Sequence, residues 1–200
     1  SLDYACEESM RLVYMGTPEA AVLPLKFLTS LSKGESSFEV VAVVSAPAKP
    51  QGRGLKPKQP PLVKFAQDQK IKVLQPIRAK EQGFLDELKN LRPDVIVVCA
   101  YGQILSSELL KIPQRATVNI HPSLLPVYRG ATPVQSALLD GLKQTGTTIH
   151  FTSEELDAGN IIAQKSVSIK RGETCDELLL RLMSESGPLL VKSLSQLSDE

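Results

Sequence analysis

The chain has 200 residues, a formal net charge of +1 and a hydrophobic content of 42%. This length and composition predict one globular domain with an ample core. The near-zero net charge argues against nucleic-acid binding by overall charge alone, and no run approaches the ~20 apolar residues that a membrane span needs. The three cysteines (Cys6, Cys99 and Cys175) lack metal-site or redox spacing, and their odd number favours a reducing compartment.

Residues 1–9 are polar and fit no regular element, whereas Met10 directly precedes an apolar strand. We therefore expect residues 1–10 to be either a natural extension or a cloning remnant. Residues 11–200 are expected to form the folded domain.

Strand-like and helix-like segments alternate along the rest of the chain. The patterns predict strands at 12–15, 40–45, 72–74, 95–100, 117–121, 147–152 and 161–169. They predict helices at 18–31, 61–69, 80–91, 133–140 and 174–197. The continuous apolar run Val95–Ala100 is typical of a strand that is buried on both faces of a parallel sheet. The alternation therefore predicts an α/β doubly wound domain.

The segment Asn119–Pro126 follows a β-branched strand and contains one of the two histidines. Asn119 and His121 are two residues apart, so their side chains point to the same face at the end of the strand. The carboxyl ends of parallel strands are where such sheets usually place their sites. Asp157 lies in a later turn. An amide, an imidazole and a carboxylate can together bind a carbonyl oxygen and move a proton.

These motifs resemble those of the folate-dependent formyltransferases. The resemblance is carried by His-Pro-Ser-Leu-Leu-Pro at 121–126 and Leu-Asp-Ala-Gly at 156–159, and it extends from about Arg11 to the last helix. It implies a Rossmann-like, mostly parallel sheet with helices on both faces, the formyltransferase fold. It also implies that Asn119, His121 and Asp157 are catalytic, that the co-substrate is 10-formyltetrahydrofolate, and that no metal is used.

The resemblance further implies a wall that contacts the folate. Its expected residues are Ser123, Leu124, Leu125, Pro126, Tyr101, Gly102 and Ile104. Backbone groups of the segment 123–126 would bind the polar edge of the pterin, and apolar side chains would supply the rest of the pocket. The second histidine, His150, lies in an alternating run and is expected to be an ordinary strand residue.

Residues 46–66 form a basic stretch with four lysines, Arg53 and no acidic residue. Five prolines are expected to keep most of it out of helix and strand. It is either an exposed charged loop or a mobile loop that grips phosphates, and it lacks the Gly-Lys-Ser/Thr ending of a P-loop. In the family branch that formylates methionyl-tRNA, a Gly-Arg-Gly loop here enters the acceptor end of the tRNA. The resemblance thus implies that Arg53 is a tRNA contact.

Three features favour that branch: this loop, the segment 128–135, and Gly-Thr-Pro-Glu at 16–19, where the ribonucleotide branch has a Gly- and Ser-rich phosphate loop. The segment 148–157, with His150, is closer to the ribonucleotide branch. The sequence predicts formyl transfer from 10-formyltetrahydrofolate to the amine of methionyl-initiator tRNA through a tetrahedral intermediate. The alternatives are transfer to a small amine, such as a ribonucleotide or an amino sugar, and a non-catalytic folate-binding module.

The tRNA-modifying members carry a second, C-terminal domain, which is expected to be absent from this chain. Such an enzyme belongs in mitochondria or plastids of a eukaryote, or in the cytoplasm of a bacterium. Folate and initiator methionyl-tRNA are the expected partners, with no membrane, and the oligomeric state stays open.

Overall fold

The computed structural model describes residues 9–31, 38–51 and 56–198. The strands are β1 (Met10–Gly16), β2 (Phe38–Val44), β3 (Lys49–Gln51), β4 (Lys56–Lys58), β5 (Val73–Leu74), β6 (Val95–Cys99), β7 (Ala116–His121), β8 (Gln144–Phe151) and β9 (Ile161–Ser168). The helices are α1 (Glu19–Ser30), α2 (Pro61–Asp68), α3 (Gln82–Asn90), α4 (Ser107–Leu110), α5 (Pro133–Leu139) and α6 (Cys175–Ser198).

A seven-stranded sheet forms the centre of the fold, with the order β5-β2-β1-β6-β7-β8-β9. The first five strands in this order pair in parallel, and β8 and β9 pair antiparallel at the edge. From β1 the chain builds outward to β2 and β5, and it then returns to β6 on the other side of β1. This arrangement confirms the mostly parallel α/β fold that the sequence predicts.

Helices cover both faces of the sheet. Successive residues of β1 alternate between the faces, as the strand period requires. Leu12 and Tyr14 belong to the apolar cluster that also includes residues of α1, α2 and α6. Val13 and Met15 belong to a second cluster with residues of α3 and α4. The core therefore has two layers, one on each face of the sheet.

The long helix α6 packs closely against α1. It starts with a capping box, in which the Glu177 N–H donates to Thr174 Oγ1 at 3.3 Å and the Thr174 N–H donates to Glu177 Oε2 at 2.8 Å. A Cβ at Gly187 would lie 2.6 Å from the Cβ of Phe27, so the absence of a side chain there permits the close approach. No helix in the described part of the chain combines the length and the hydrophobicity needed to cross a membrane.

Two features of the fold differ from the expectations based on the sequence, namely the β3–β4 hairpin and the helix α4. Strands β3 and β4 form a separate antiparallel hairpin in which Pro50 lies opposite Pro57. The expectation that prolines keep most of residues 46–66 out of regular structure is therefore wrong. In a two-stranded hairpin both strands are edges, where proline is tolerated. The short helix α4 was not predicted either; the Ser106 side chain caps it by accepting from the Leu109 N–H at 3.2 Å.

Candidate active site

The predicted catalytic residues come together at the carboxyl end of β7. Asn119 and His121 lie on this strand, and Asp157 lies in the turn between β8 and β9. The backbone of Asp157 has a φ of +50°, in the left-handed region that aspartate adopts more readily than most residues. Because β8 pairs antiparallel with β7, it places His150 opposite Asn119. The site therefore contains a fourth polar residue.

His150 connects to the site through Asn119. Asn119 Nδ2 lies 3.1 Å from His150 Nε2 and donates to Asp157 Oδ1 at 3.4 Å. His150 Nδ1 lies 2.9 Å from the carbonyl oxygen of Phe151, which places the hydrogen of a neutral ring on Nδ1 and leaves Nε2 as an acceptor. His150 is a strand residue, as expected, but its place in the site was missed. No sequence signal marks it, because its contact with Asn119 depends on the register of β8 against β7.

His121 has a partner at each ring nitrogen. Its Nε2 lies 2.8 Å from the carbonyl oxygen of Tyr128, and because a carbonyl only accepts, Nε2 carries the hydrogen. Its Nδ1 faces Asp157 Oδ2 at 3.6 Å, which is beyond normal hydrogen-bond distance. The Tyr128 carbonyl therefore orients the ring, and Nδ1 is the atom that can take up a proton.

Asp157 is held as a carboxylate in spite of its burial. Its side chain is 7% exposed. Burial by itself raises the pKa of Asp157, but the His150 ring, the Gly130 N–H and the His121 ring outweigh it and hold the pKa below its usual value. The Gly130 N–H donates to Oδ2 at 2.8 Å. The site thus keeps a negative charge beside two imidazoles.

The charge state of His121 makes stability depend on pH. Burial lowers its pKa from 6.5, and the raising influences of the Tyr128 carbonyl and Asp157 do not compensate. The folded protein favours the neutral ring, whereas the unfolded chain takes up a proton near pH 6.5. We therefore expect a stability contribution that is present above that pH and is lost as the pH falls from there through the lowered folded-state pKa.

Thermal melting of the wild type and of His121→Asn, from about pH 7.5 to about pH 5, measures this contribution. The melting temperature of the wild type should fall more steeply than that of the variant. Equal slopes for the two proteins would assign the pH dependence to other groups.

The segment 123–126 is anchored by the two antiparallel strands β8 and β9. Thr148 Oγ1 donates to the Ser123 carbonyl at 2.7 Å and accepts from the Leu125 N–H at 3.1 Å. Gln164 Nε2 donates to the Leu125 carbonyl at 2.9 Å. These hydrogen bonds give backbone groups of Ser123 and Leu125 partners within the protein. They fix the position of the segment 123–126, which follows His121 in the chain.

The other predicted folate contacts differ in exposure. Tyr101 is 3% exposed and packs in the cluster with α3 and α4. Gly102 has a φ of +86°, and Ile104, on the same loop after β6, is 91% exposed. Leu124 is half-buried and Pro126 is exposed. An exposed isoleucine on a loop next to β7 suits an apolar ligand, and the folate contacts stay a prediction.

The predicted tRNA contact, Arg53, lies outside the described residues. Among residues 9–31, 38–51 and 56–198, no group of three or more His, Cys, Asp or Glu side chains is arranged to hold a metal ion.

An amide, two imidazoles and a carboxylate, brought together at the carboxyl end of β7, define this chain as an α/β protein with a site suited to carbonyl chemistry. Residues 10–194 match the sequence profile of the family described as formyl transferase. The chain belongs to that family.

The chain is similar to two curated bacterial relatives. It is 44% identical to the methionyl-tRNA formyltransferase of Alkaliphilus metalliredigens, over 94% of this chain and 58% of the relative. It is 42% identical to the methionyl-tRNA formyltransferase of Thermotoga maritima, over 94% of this chain and 58% of that relative. The chain thus spans about 58% of the length of these relatives.

A solved structure has the same architecture. Glycinamide ribonucleotide transformylase 1 from Geobacillus kaustophilus superposes with a TM-score of 0.75 at 26% identity, covering 93% of this chain and 97% of that chain. The formyl transferase fold therefore extends over almost all of the residues described here.

Proposed function

We propose that this chain transfers a formyl group from 10-formyltetrahydrofolate to the amine of methionyl-initiator tRNA. The observation that carries the reaction type is the part-buried cluster of Asn119, His121, His150 and Asp157. The choice of acceptor is supported by the 44% identity to a relative named methionyl-tRNA formyltransferase, against 26% for the ribonucleotide transformylase structure.

Transfer requires that an amine attack the formyl carbon, so negative charge develops on the formyl oxygen. Asn119 is the donor for that oxygen. In the structure its Nδ2 has two acceptors, and the contact with Asp157 Oδ1, at 3.4 Å, is the longer of them. The formyl oxygen replaces this longer contact, while His150 keeps the amide nitrogen turned towards the site. A preorganised donor of this kind stabilises the transition state without reorganisation.

The attacking amine must also lose a proton. The neutral His121 ring accepts it at Nδ1, the nitrogen that faces Asp157. The resulting imidazolium lies between the Asp157 carboxylate and the Tyr128 carbonyl, and both groups stabilise its charge. His121 then transfers the same proton to the departing nitrogen of the folate. Asp157 keeps His121 basic enough for this exchange.

The basic hairpin supports tRNA as the partner. Lys49 lies directly opposite Lys58, and Lys56 is exposed on the same two strands. Like charges opposite each other on a hairpin are destabilising. Within the described residues, none of the three lysines has an ion pair, so a polyanionic partner would relieve their repulsion. Arg53 belongs to the connection between the two strands.

Arg53→Ala should raise the KM for methionyl-tRNA or lower kcat with it, and should leave the affinity for folate unchanged. An arginine between two glycines can reach a phosphate outside the folate cleft. The salt slope of tRNA binding should shrink by roughly one unit for one lost phosphate contact. Steady-state kinetics at several salt concentrations measure both effects.

Arg171→Ala is the matched control, because Arg171 is an exposed arginine beside a glycine and lies outside the hairpin. It should leave the kinetics and the slope unchanged. If Arg53→Ala behaves like this control, the hairpin is an ordinary charged loop.

Transfer to a small amine is the second candidate. His150 favours it, because the sequence around this residue is closer to the ribonucleotide branch and its side chain lies in the site. Formyl transfer from 10-formyltetrahydrofolate should be measured with methionyl-tRNA, uncharged tRNA, glycinamide ribonucleotide and an amino sugar. Turnover with methionyl-tRNA alone supports the proposal. Faster turnover with the ribonucleotide would replace it by the second candidate.

A further inference from the structure

The segment 128–130 contacts the two charge-bearing residues of the site at once. The Tyr128 carbonyl oxygen lies 2.8 Å from His121 Nε2, and the Gly130 N–H donates to Asp157 Oδ2 at 2.8 Å. Both contacts come from the backbone. Whatever fixes the path of this segment therefore fixes the imidazole and the carboxylate together.

The backbone of the segment needs outside support to keep its path. Tyr128 has a φ of +54°, in the left-handed region that non-glycine residues seldom adopt. Gly130 follows with a φ of +95°. A tyrosine keeps such a conformation only where surrounding contacts hold it.

The Tyr128 side chain supplies that support. Its hydroxyl donates to Asp140 Oδ2 at 2.6 Å in an exposed hydrogen bond, and Asp140 is the C-cap residue directly after α5. Hydrogen bonds from a hydroxyl to a carboxylate are short and strong. Just before Tyr128, the Ser123 hydroxyl donates to the Val127 carbonyl at 2.6 Å. Tyr128 thus joins α5 to the catalytic residues: its hydroxyl reaches the helix and its carbonyl reaches His121.

We propose that Tyr128 and Asp140 form a latch that positions His121 and Asp157 for catalysis. Neither side chain is required to touch a substrate, so both are positioning residues. The kinetic consequence of the latch rests on the proposed function, whereas its effect on the His121 ring does not. Without the latch, the strained segment relaxes and its carbonyl and N–H withdraw from the site.

Tyr128→Phe, Asp140→Ala and the double variant test the latch kinetically. Each should lower kcat about tenfold, because small displacements of reacting groups are costly, and should change the KM for 10-formyltetrahydrofolate by less than about twofold. The double variant should be no slower than the slower single variant, since both substitutions break the same bond. Additive losses would overturn the proposal.

Glu108→Ala is the matched control. It removes the exposed bond from Lys89 Nζ to Glu108 Oε1, 2.9 Å long, between α3 and α4. This substitution also takes one surface carboxylate out of a hydrogen bond, and it should leave kcat unchanged.

A titration of His121 by NMR gives a second readout that needs no turnover. The titratable groups facing the ring are Asp157, 3.6 Å from Nδ1, and His150, whose ring centroid is 6.3 Å away. The Tyr128 carbonyl raises the pKa of His121, so its withdrawal should lower the titration midpoint in all three variants and not in Glu108→Ala. A general loss of stability would lower the melting temperature without this shift.

An unchanged midpoint in Asp140→Ala, the variant that keeps the tyrosine, would overturn the latch, even if Tyr128→Phe failed to fold. Absence of formyl transfer by the wild type would instead refute the proposed function. The titration would still decide the latch in that case.

Discussion

Replacing His121 by alanine should lower the rate of formyl transfer by at least ~10²–10³-fold while leaving a folded protein. In the proposed mechanism the neutral ring accepts a proton at Nδ1, and alanine has no atom that can do so. The ring is 4% exposed but packs against polar partners, so its loss mainly removes hydrogen bonds. Removing the His121 N–H from the Tyr128 carbonyl, which the Ser123 hydroxyl also reaches at 3.4 Å, costs on the order of 1–3 kcal/mol, which shifts the melting temperature without abolishing the fold.

Single-turnover formyl transfer and thermal melting should be measured together on this variant. Thr147→Val is the matched control, because Thr147 is a buried polar residue of β8 whose hydroxyl donates towards the Leu182 carbonyl of α6, away from the site. The control should keep its rate. Near-normal transfer by His121→Ala would contradict the catalytic assignment, and a collapsed melting temperature would make His121 a structural residue of the core.

The fold could be predicted from the sequence because its main signals are local. The run of apolar residues in β6 and the alternation in β1 follow from the side-chain periods of strands. The pairing of Asn119 with His121 on one face likewise needs only a spacing of two residues. A catalytic role for Asp157 could be predicted only from the family resemblance, since the sequence Asp-x-Gly is common in turns. Its contact with Gly130 then connects two segments that are far apart in sequence.

The parts of the site that could not be predicted depend on register and on backbone contacts. His150 reaches Asn119 only through the exact alignment of β8 on β7, and one residue of slippage would turn it to the other face. The Tyr128 carbonyl orients His121, but any residue type carries a carbonyl, so no side-chain pattern marks it. The β3–β4 hairpin was missed because its strands are three residues long and rich in proline.

Asp157→Asn should retain folate binding and lower kcat by roughly 10²–10⁴-fold. Asparagine has nearly the shape of aspartate and can still accept from the Gly130 N–H, so the turn should keep its path. It carries no charge, however, and its amide hydrogens would meet the Asn119 amide, which is itself a donor. The imidazolium that forms during transfer would lose the carboxylate that stabilises it.

The direction of the pH effect follows from the same contacts. The Asp157 carboxylate raises the pKa of His121, so its removal lowers that pKa further. The proposed mechanism requires the neutral ring, so activity should fall as the pH drops through its pKa. The acid limb of the pH–rate profile should therefore move to lower pH in Asp157→Asn, while the plateau falls because His121 is a weaker base. Asp86→Asn, an exposed change on α3, should leave both unaltered. If Asp157→Asn kept the wild-type plateau and limb, the carboxylate would serve only to shape its turn, and the proton would have to leave the amine by another route.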